Sequence, residues 1–407
     1  MNIIDEYKTP DDMYVGPFPT IERYGMEIDL DEPEPSEKIK YISMNTYYRS
    51  AYMDYTNDQF IYGDWEQAWF IRYLTPCMLK YDGTVDYYLD PKDYSKKADG
   101  TDSDINDQSY PGNVMVGIPT VWIKVDTSEP RKPKYYFAKK QINSDYHAYA
   151  HINSKGEVVP YIYVSAYDTS IDTSGIMRSL SEEYPNNYTK CEVFHVEAAK
   201  NNIGNEAIWD VGSFSERALI ALLLILIGKS TDTQSVFGKG RSKCEDSDRI
   251  SGSMNTKGLF WGSNDDNLGV KVFGIEHFWG NVWKYTKDLV IEDHVVKYKP
   301  AWNNSGYTVA GTPESCRIYS TVSDAYITEN GLIPSIGLGA ISRSQHFCDA
   351  YQITNLSELC YSAFGGDEDT GAGCGAFACR LDIHPSYYGD RLGCSMTCKP
   401  LKEEEVE

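Results

Sequence analysis

Ten cysteines, seven histidines and one short acidic loop carry most of the side chains in this chain that could do chemistry. Cys374 and Cys379 stand five residues apart beside a glycine-rich run, and Cys394 and Cys398 flank the last turn. A thiol becomes a nucleophile only when nearby cations or donors stabilise the thiolate, and Arg380 is the cation close to the first pair in sequence. The two pairs could also gather a metal, but neither a Cys-x-x-Cys nor a Cys-x-x-Cys…His-x-x-x-His spacing occurs. Buried, unreactive cysteine is the simpler account. Asp367-Glu368-Asp369 could ligate calcium from a loop, or form an ordinary solvated acidic loop. His147 and His151 share the i, i+4 spacing within a Tyr/Ala strand-like stretch and read as a satisfied surface pair. There is no P-loop, and the glycine-rich run from Gly365 does not follow a strand and open a helix as dinucleotide binding requires. No catalytic residue, metal ligand or cofactor is assigned.

The elements that would position these residues are readable in part. A chain of 407 residues predicts two or three domains. The 38 basic and 60 acidic residues give a net charge of −22, which disfavours nucleic acid and anionic membrane surfaces as partners. Tyrosine supplies 33 of the aromatic residues and suits half-buried strands and contact surfaces. Residues 1–40 are acidic and proline-bearing and read as an extended arm that either docks on a neighbour or frays. Residues 41–110 form a Tyr-rich β region with a hairpin signal at Tyr81-Asp-Gly-Thr. Short strands follow, at Val114–Val125, Tyr135–Ala138 and Val158–Val164. The clearest helix lies within 205–229. Ser213 and Glu216 have capping-box spacing, Ala218 to Ile227 is apolar on every side, and Gly228 ends it. That run of ten apolar residues is about half of what a membrane span needs. The opening Met1-Asn2-Ile3-Ile4-Asp5-Glu6 has neither the basic nor the apolar region of a signal peptide, so reduced thiols are expected.

One stretch goes further. Phe273-Gly-Ile-Glu-His-Phe-Trp-Gly-Asn-Val-Trp-Lys-Tyr resembles the G-[IL]-x-x-x-x-G-N-[VA]-W-E-W signature of the formylglycine-generating/sulfatase-modifying family. That family has a C-type-lectin-like fold, which phage structural proteins and phage tropism determinants reuse. In physical terms Gly280 permits a tight turn, Asn281 can bond turn amides, and Trp279 and Trp283 can anchor the loop in a core. The neighbours follow in order. They are Val114-Met-Val-Gly-Ile-Pro, Trp209-Asp-Val-Gly-Ser-Phe-Ser-Glu-Arg-Ala, Gly258-Leu-Phe-Trp-Gly, and Gly365-Gly-Asp-Glu-Asp through Gly389-Asp-Arg-Leu-Gly. In the generating enzymes a C-terminal cysteine pair five residues apart is catalytic. Cys374 and Cys379 match that spacing, but Gly375-Ala-Phe-Ala between them lacks the polar, basic and Tyr character of the enzyme motif. Calcium-binding members use the Asn of the signature turn and the Glu after its Trp. Here Asn281 is kept and Lys284 replaces that Glu.

The expected fold class is therefore α+β: an acidic arm at 1–40, a Tyr-rich β region at 41–110, a C-type-lectin-like domain at 111–400 and an acidic tail at 401–407. The resemblance implies a phage virion structural protein, assembled in the host cytoplasm, that meets other virion proteins and a host surface glycan or protein, as a homo-oligomer. A tail or baseplate adhesin leads. A capsid decoration, head-fibre or collar protein is the alternative, and a cysteine-pair enzyme the remote one. The expected ligand-binding face is Asp367, Glu368, Asp369, His384, Tyr387 and Tyr388. Tyr rings stack on sugar faces and carboxylates accept sugar hydroxyls. The competing account of Tyr387-Tyr388 is a packed strand edge.

Overall fold

The Tyr81-Asp-Gly-Thr signal does form a hairpin. Strand Thr75–Lys80 turns through Gly83, at φ +81°, into strand Val85–Asp90. The structure is a computed structural model describing residues 23–204, 206–244, 250–302, 306–314, 316–342, 344–353 and 357–401. In it the hairpin belongs to a seven-stranded antiparallel sheet. The strand order is Trp209–Val211, Met396–Cys398, Tyr161–Ser165, Gly112–Pro119, Thr75–Lys80, Val85–Asp90, Asp93–Lys97. Gly112–Pro119 is buried along its whole length, as a central strand covered on both faces must be. Cys77 lies opposite Met115 in this sheet, so the boundary expected between residues 110 and 111 falls inside a ladder. Pairing between distant segments leaves no local mark in a sequence.

The stretch read as an extended arm is folded from Arg23 onward. Strand Arg23–Ile28 pairs with Ile39–Ser43 on one side and Lys134–Ala138 on the other, and Trp122–Asp126 completes a four-stranded sheet. The reason is a period-two apolar set, Tyr24, Met26, Ile28 and Leu30, all buried, which the following Asp-Glu-Pro run obscures. Residues 1–22 of the expected arm, and 402–407 of the expected tail, lie outside the described residues.

A third, nine-stranded sheet carries the C-terminal half. Trp283–Glu292 and Cys360–Phe364 pair near its middle, and Leu392–Cys394 runs parallel to the first residues of Trp283–Glu292. Strand thus outweighs helix further than an α+β expectation suggests. The α-helices among the described residues are α1 (Trp69–Arg72), α2 (Cys191–Ala199), α3 (Phe214–Gly228) and α4 (Thr233–Phe237). None is long and apolar enough to cross a membrane.

Helix α3 starts as its sequence dictates: the Glu216 carboxylate accepts from the Ser213 backbone N–H at 2.7 Å. Every residue from Phe214 to Gly228 is buried. The helix runs one residue further than its capping glycine implies. Gly228 is still helical, and Lys229 takes the left-handed position at φ +52°. Burial of this helix dominates the core, since each fully buried Leu or Ile is worth ~1.5–3 kcal/mol. Leu224→Ala is expected to cost about 2–5 kcal/mol in urea unfolding, against a few tenths for Leu338→Ala at an exposed strand end. Equal losses for the two variants would contradict this placement of the core.

Candidate functional site

The signature turn is built on strained backbone held from several sides. His277, Gly280 and Asn281 have φ of +54°, +76° and +67°. A β-carbon on Gly280 would meet the Arg241 carbonyl oxygen at 2.7 Å, so the position is closed to other residues on space as well as on angle. Trp279 is buried and donates its indole N–H to the Gly238 carbonyl at 3.0 Å. Trp283 is buried and stacks on Tyr319. Arg217, from α3, donates to the carbonyls of Phe278 at 2.7 Å and Ala376 at 3.3 Å, and its guanidinium lies 3.8 Å from the centre of the Phe278 ring. One side chain thus ties the buried helix to the turn and to the glycine-rich run.

Asn281 behaves differently from the sequence expectation. Its side-chain amide donates to the Asp168 carboxylate at 2.7 Å rather than serving turn amides. Its backbone takes the turn contacts instead: the N–H donates to the Arg241 carbonyl at 2.7 Å, and the carbonyl accepts from Glu368 N–H at 3.3 Å. Lys284 completes the frame. Its ammonium donates to the Gly280 carbonyl at 2.6 Å and pairs with Asp168 at 3.3 Å, with both side chains almost fully buried. Burial pushes the Lys284 pKa down, and the facing Asp168 opposes that shift. A fixed ammonium therefore occupies the turn where the resemblance places a carboxylate ligand.

The glycine-rich run leans on this frame. Gly280 N–H donates to Gly365 O at 3.2 Å, and Phe377 N–H donates to the buried Asp349 carboxyl at 2.6 Å. The expected acidic loop is not simply solvated. Asp367 and Glu368 are buried. Asp367 accepts from Asp369 N–H and the Thr370 hydroxyl, at 3.0 and 2.7 Å, and Glu368 pairs with Arg241 at 3.9 Å. Asp369 faces solvent and pairs with Arg391 at 2.7 Å.

Beyond strand Cys379–Ile383, His384 is exposed and bonds Ser386 at 2.6 Å. Tyr387 is half-buried against the apolar cluster that holds Trp283, Ile383 and Leu392, beneath Arg380. Tyr388 is 61% exposed. Its ring centre lies 5.5 Å from that of Tyr188, a residue the sequence reading passed over. Tyr188 is 51% exposed, and its N–H donates to Gly389 O at 3.0 Å. Asn187 donates to Asp390 O at 3.2 Å. The signal that could have found Tyr188 is its setting, Tyr184-Pro-Asn-Asn-Tyr188, a turn-forming stretch with an aromatic at each end. The loops at 184–189, 387–391 and 367–370 therefore join into one surface through these bonds and the Asp369–Arg391 pair.

None of the four C-terminal thiols is exposed on that surface, though Cys374 supports it from beneath by donating to the Asp367 carbonyl at 3.3 Å. Cys374, Cys379, Cys394 and Cys398 are free and buried, and burial pushes each thiol pKa up. Arg217 opposes the shift at Cys379 without reversing it. Among the described residues, no group of three or more His, Cys, Asp or Glu side chains is placed to hold a metal. The histidine pair divides. His147 stacks on Tyr149, whereas His151 is fully buried with Nε2 3.3 Å from Ile118 O, which corrects the surface-pair reading. Burial and the Lys399 charge hold His151 at about 3, so it stays neutral.

A second cluster was not foreseen. His195 of α2 bridges Asp210 at 2.7 Å and the Tyr285 hydroxyl at 2.8 Å, and Lys287 pairs with Asp210 at 2.6 Å. Burial holds the Tyr285 hydroxyl well above its usual pKa, so this relay-like row does not generate a phenolate. Burial alone would raise Asp210, but the His195 bond and the Lys287 charge win and leave it at about 2.

No protein-family model and no curated protein matches the chain. Among solved structures, the "Major Tropism Determinant P3c Variant" is similar at TM-score 0.27 and 10% identity, over 80% of this chain and 71% of that one. At that TM-score the likeness carries neither fold nor function.

Two measurements check this geometry. Lys284→Gln leaves Asp168 buried without its cation and is expected to cost about 3–5 kcal/mol in urea unfolding. A loss under about 1 kcal/mol would mean that the pair is solvated. Asp210 has a folded pKa of about 2 against 3.8 unfolded, so its contribution is present above pH 4 and lost as pH falls toward 2. The amount is on the order of 2 kcal/mol. Asp210→Asn should flatten the fall in stability over that window, and an unchanged slope would refute the assignment.

Proposed function

We propose that this chain is a phage virion structural protein whose C-type-lectin-like domain, at 111–400, presents the joined loop surface as a receptor-binding face of a tail or baseplate adhesin. One observation carries the reading. Solvent-facing groups of unlike chemistry, Tyr188, Tyr388, His384 and the Asp369–Arg391 pair, sit on loops whose backbone is tied to a buried turn. Such a platform keeps its shape while its exposed side chains vary, as adhesion requires. The ordered resemblance along 110–400 supplies the virion context, and the lectin-like assignment rests on it together with the buried Gly280-Asn281-Val-Trp turn. Tyr188 and Tyr388 offer ring faces to a host glycan or protein, and Asp369 and Arg391 offer polar contacts. Asp367 and Glu368 support the loop from beneath. Burial of both members of the Cys374/Cys379 pair, with raised pKa values, weighs against thiol catalysis. Other virion proteins and further copies of the chain are the expected structural partners.

Gold-labelled antibody on intact particles tests the placement. Label at the tail tip is expected, label over the head or neck moves the reading to decoration or collar, and no label contradicts a virion role. Tyr388→Ala with Tyr188→Ala should lower binding of the purified protein to host cells at least about ten-fold, as loss of paired aromatic anchors does, with little change in stability.

A further inference from the structure

Among the described residues, the buried lysines are Lys38, Lys271, Lys284, Lys287 and Lys399. Four of them act as ammonium donors. Lys38 donates to the carbonyls of Asp29 and Leu30 at 2.9 and 3.2 Å, and Lys271 to Met254 O at 3.1 Å. Lys284 donates to Gly280 O at 2.6 Å, and Lys287 to the Asp210 carboxylate at 2.6 Å. Lys399 is the exception. Its Nζ lies 2.7 Å from Oε1 of Glu216, yet among the described residues neither atom has a hydrogen bond of ordinary geometry, to the other or to any other group. The separation suits a hydrogen bond, so what fails is the angle. An ammonium has three protons to place, whereas a neutral amine presents a lone pair. Two buried polar atoms left in this way require an explanation.

Both groups are held in place. The second carboxylate oxygen of Glu216, Oε2, accepts from the Ser213 N–H at 2.7 Å, which pins the carboxyl group at the start of α3. Lys399 follows strand Met396–Cys398, and its own N–H donates to Ile208 O at 2.8 Å. The Trp302 ring centre lies 5.3 Å from Nζ. The two side chains are 0% and 3% exposed, so bulk water is kept from the pair. Burial pushes the Lys399 pKa down against the pull of Glu216, which favours the amine. A nucleophile and an electrophile fixed in contact react as though at very high concentration.

We propose that Lys399 and Glu216 condense into an isopeptide bond, joining residues 183 apart in sequence. One Nζ proton passes to Oε1, leaving a neutral amine and a carboxylic acid. The Nζ lone pair then attacks Cδ, forming the C–N bond, and the Ser213 N–H steadies the negative charge on Oε2. A second Nζ proton passes to Oε1, the Cδ–Oε1 bond breaks, and water leaves. Nothing is oxidised or reduced. The bond welds the C-terminal strand to the first turn of the buried helix. It is independent of the loop face, to which neither residue belongs.

Mass spectrometry of the denatured full chain tests this. The natural chain is expected one water below its sequence mass, with fragment spectra joining the peptide that contains Glu216 to the one that contains Lys399. Lys399→Arg keeps a cation beside Glu216 but has no amine to acylate, and Glu216→Ala removes the acyl group. Each variant is expected at its full sequence mass. A natural chain at full sequence mass would overturn the proposal. So would a loss of water that persists in Lys399→Arg, or one that maps to an aspartate succinimide.

Discussion

A helix with no polar side has to be covered on every side, and much of this fold follows from meeting that demand for α3. Its fifteen residues are all buried, and their covering comes from the length of the chain. The Ile227 carbonyl accepts from the Tyr41 hydroxyl at 3.1 Å and from Ala51 N–H at 2.8 Å, binding the N-terminal third to the helix end. At the other end Glu216 meets the fully buried Lys399 at 2.7 Å, fixing the last described strand. Apolar burial along the helix amounts to several side chains at ~1.5–3 kcal/mol each, so packing holds the assembly together and the ion pair selects which segments may pack.

The second layer of organisation is electrostatic. Arg217, Lys284 and Asp168 lie in the interior between α3, the Gly280 turn and the run from Gly365, together with Asp349, whose burial pushes its carboxyl well above the usual carboxylate range. A buried charge without a partner is expensive, so each constrains its neighbours: Lys284 holds both Asp168 and the Gly280 carbonyl, and Arg217 holds two carbonyls from separate loops. The exposed groups above, Tyr188, Tyr388, Asp369 and Arg391, inherit a fixed backbone from this arrangement. The role given to them depends on that rigidity more than on any one contact.

What could be read in advance divides along the range of the interactions. The capping box at Ser213 and Glu216, the all-round apolar helix, the hairpin at Gly83 and the need for glycine at 280 are local, and each follows from residue type and spacing. The pairing of Arg23–Ile28 with Lys134–Ala138 spans more than a hundred residues and left no trace beyond a short apolar alternation. Burial of Asp367 and Glu368 was hidden for the same reason, because their partners include Arg241 and the Asn281 carbonyl. Tyr188 joined the candidate face only once the chain brought residue 188 beside residue 388.

The central claim is that the loop face is held rigid by the protein's own buried charges, with the Lys284 ammonium serving the signature turn. Hydrogen exchange on the intact chain, in calcium and in chelator, measures this directly through the amides of Gly280, Asn281, Glu368 and Phe377. The account predicts that these amides exchange nearly as slowly as the middle of α3, at the same rate in both buffers. Fast exchange in both, or protection that appears only with calcium, would contradict it.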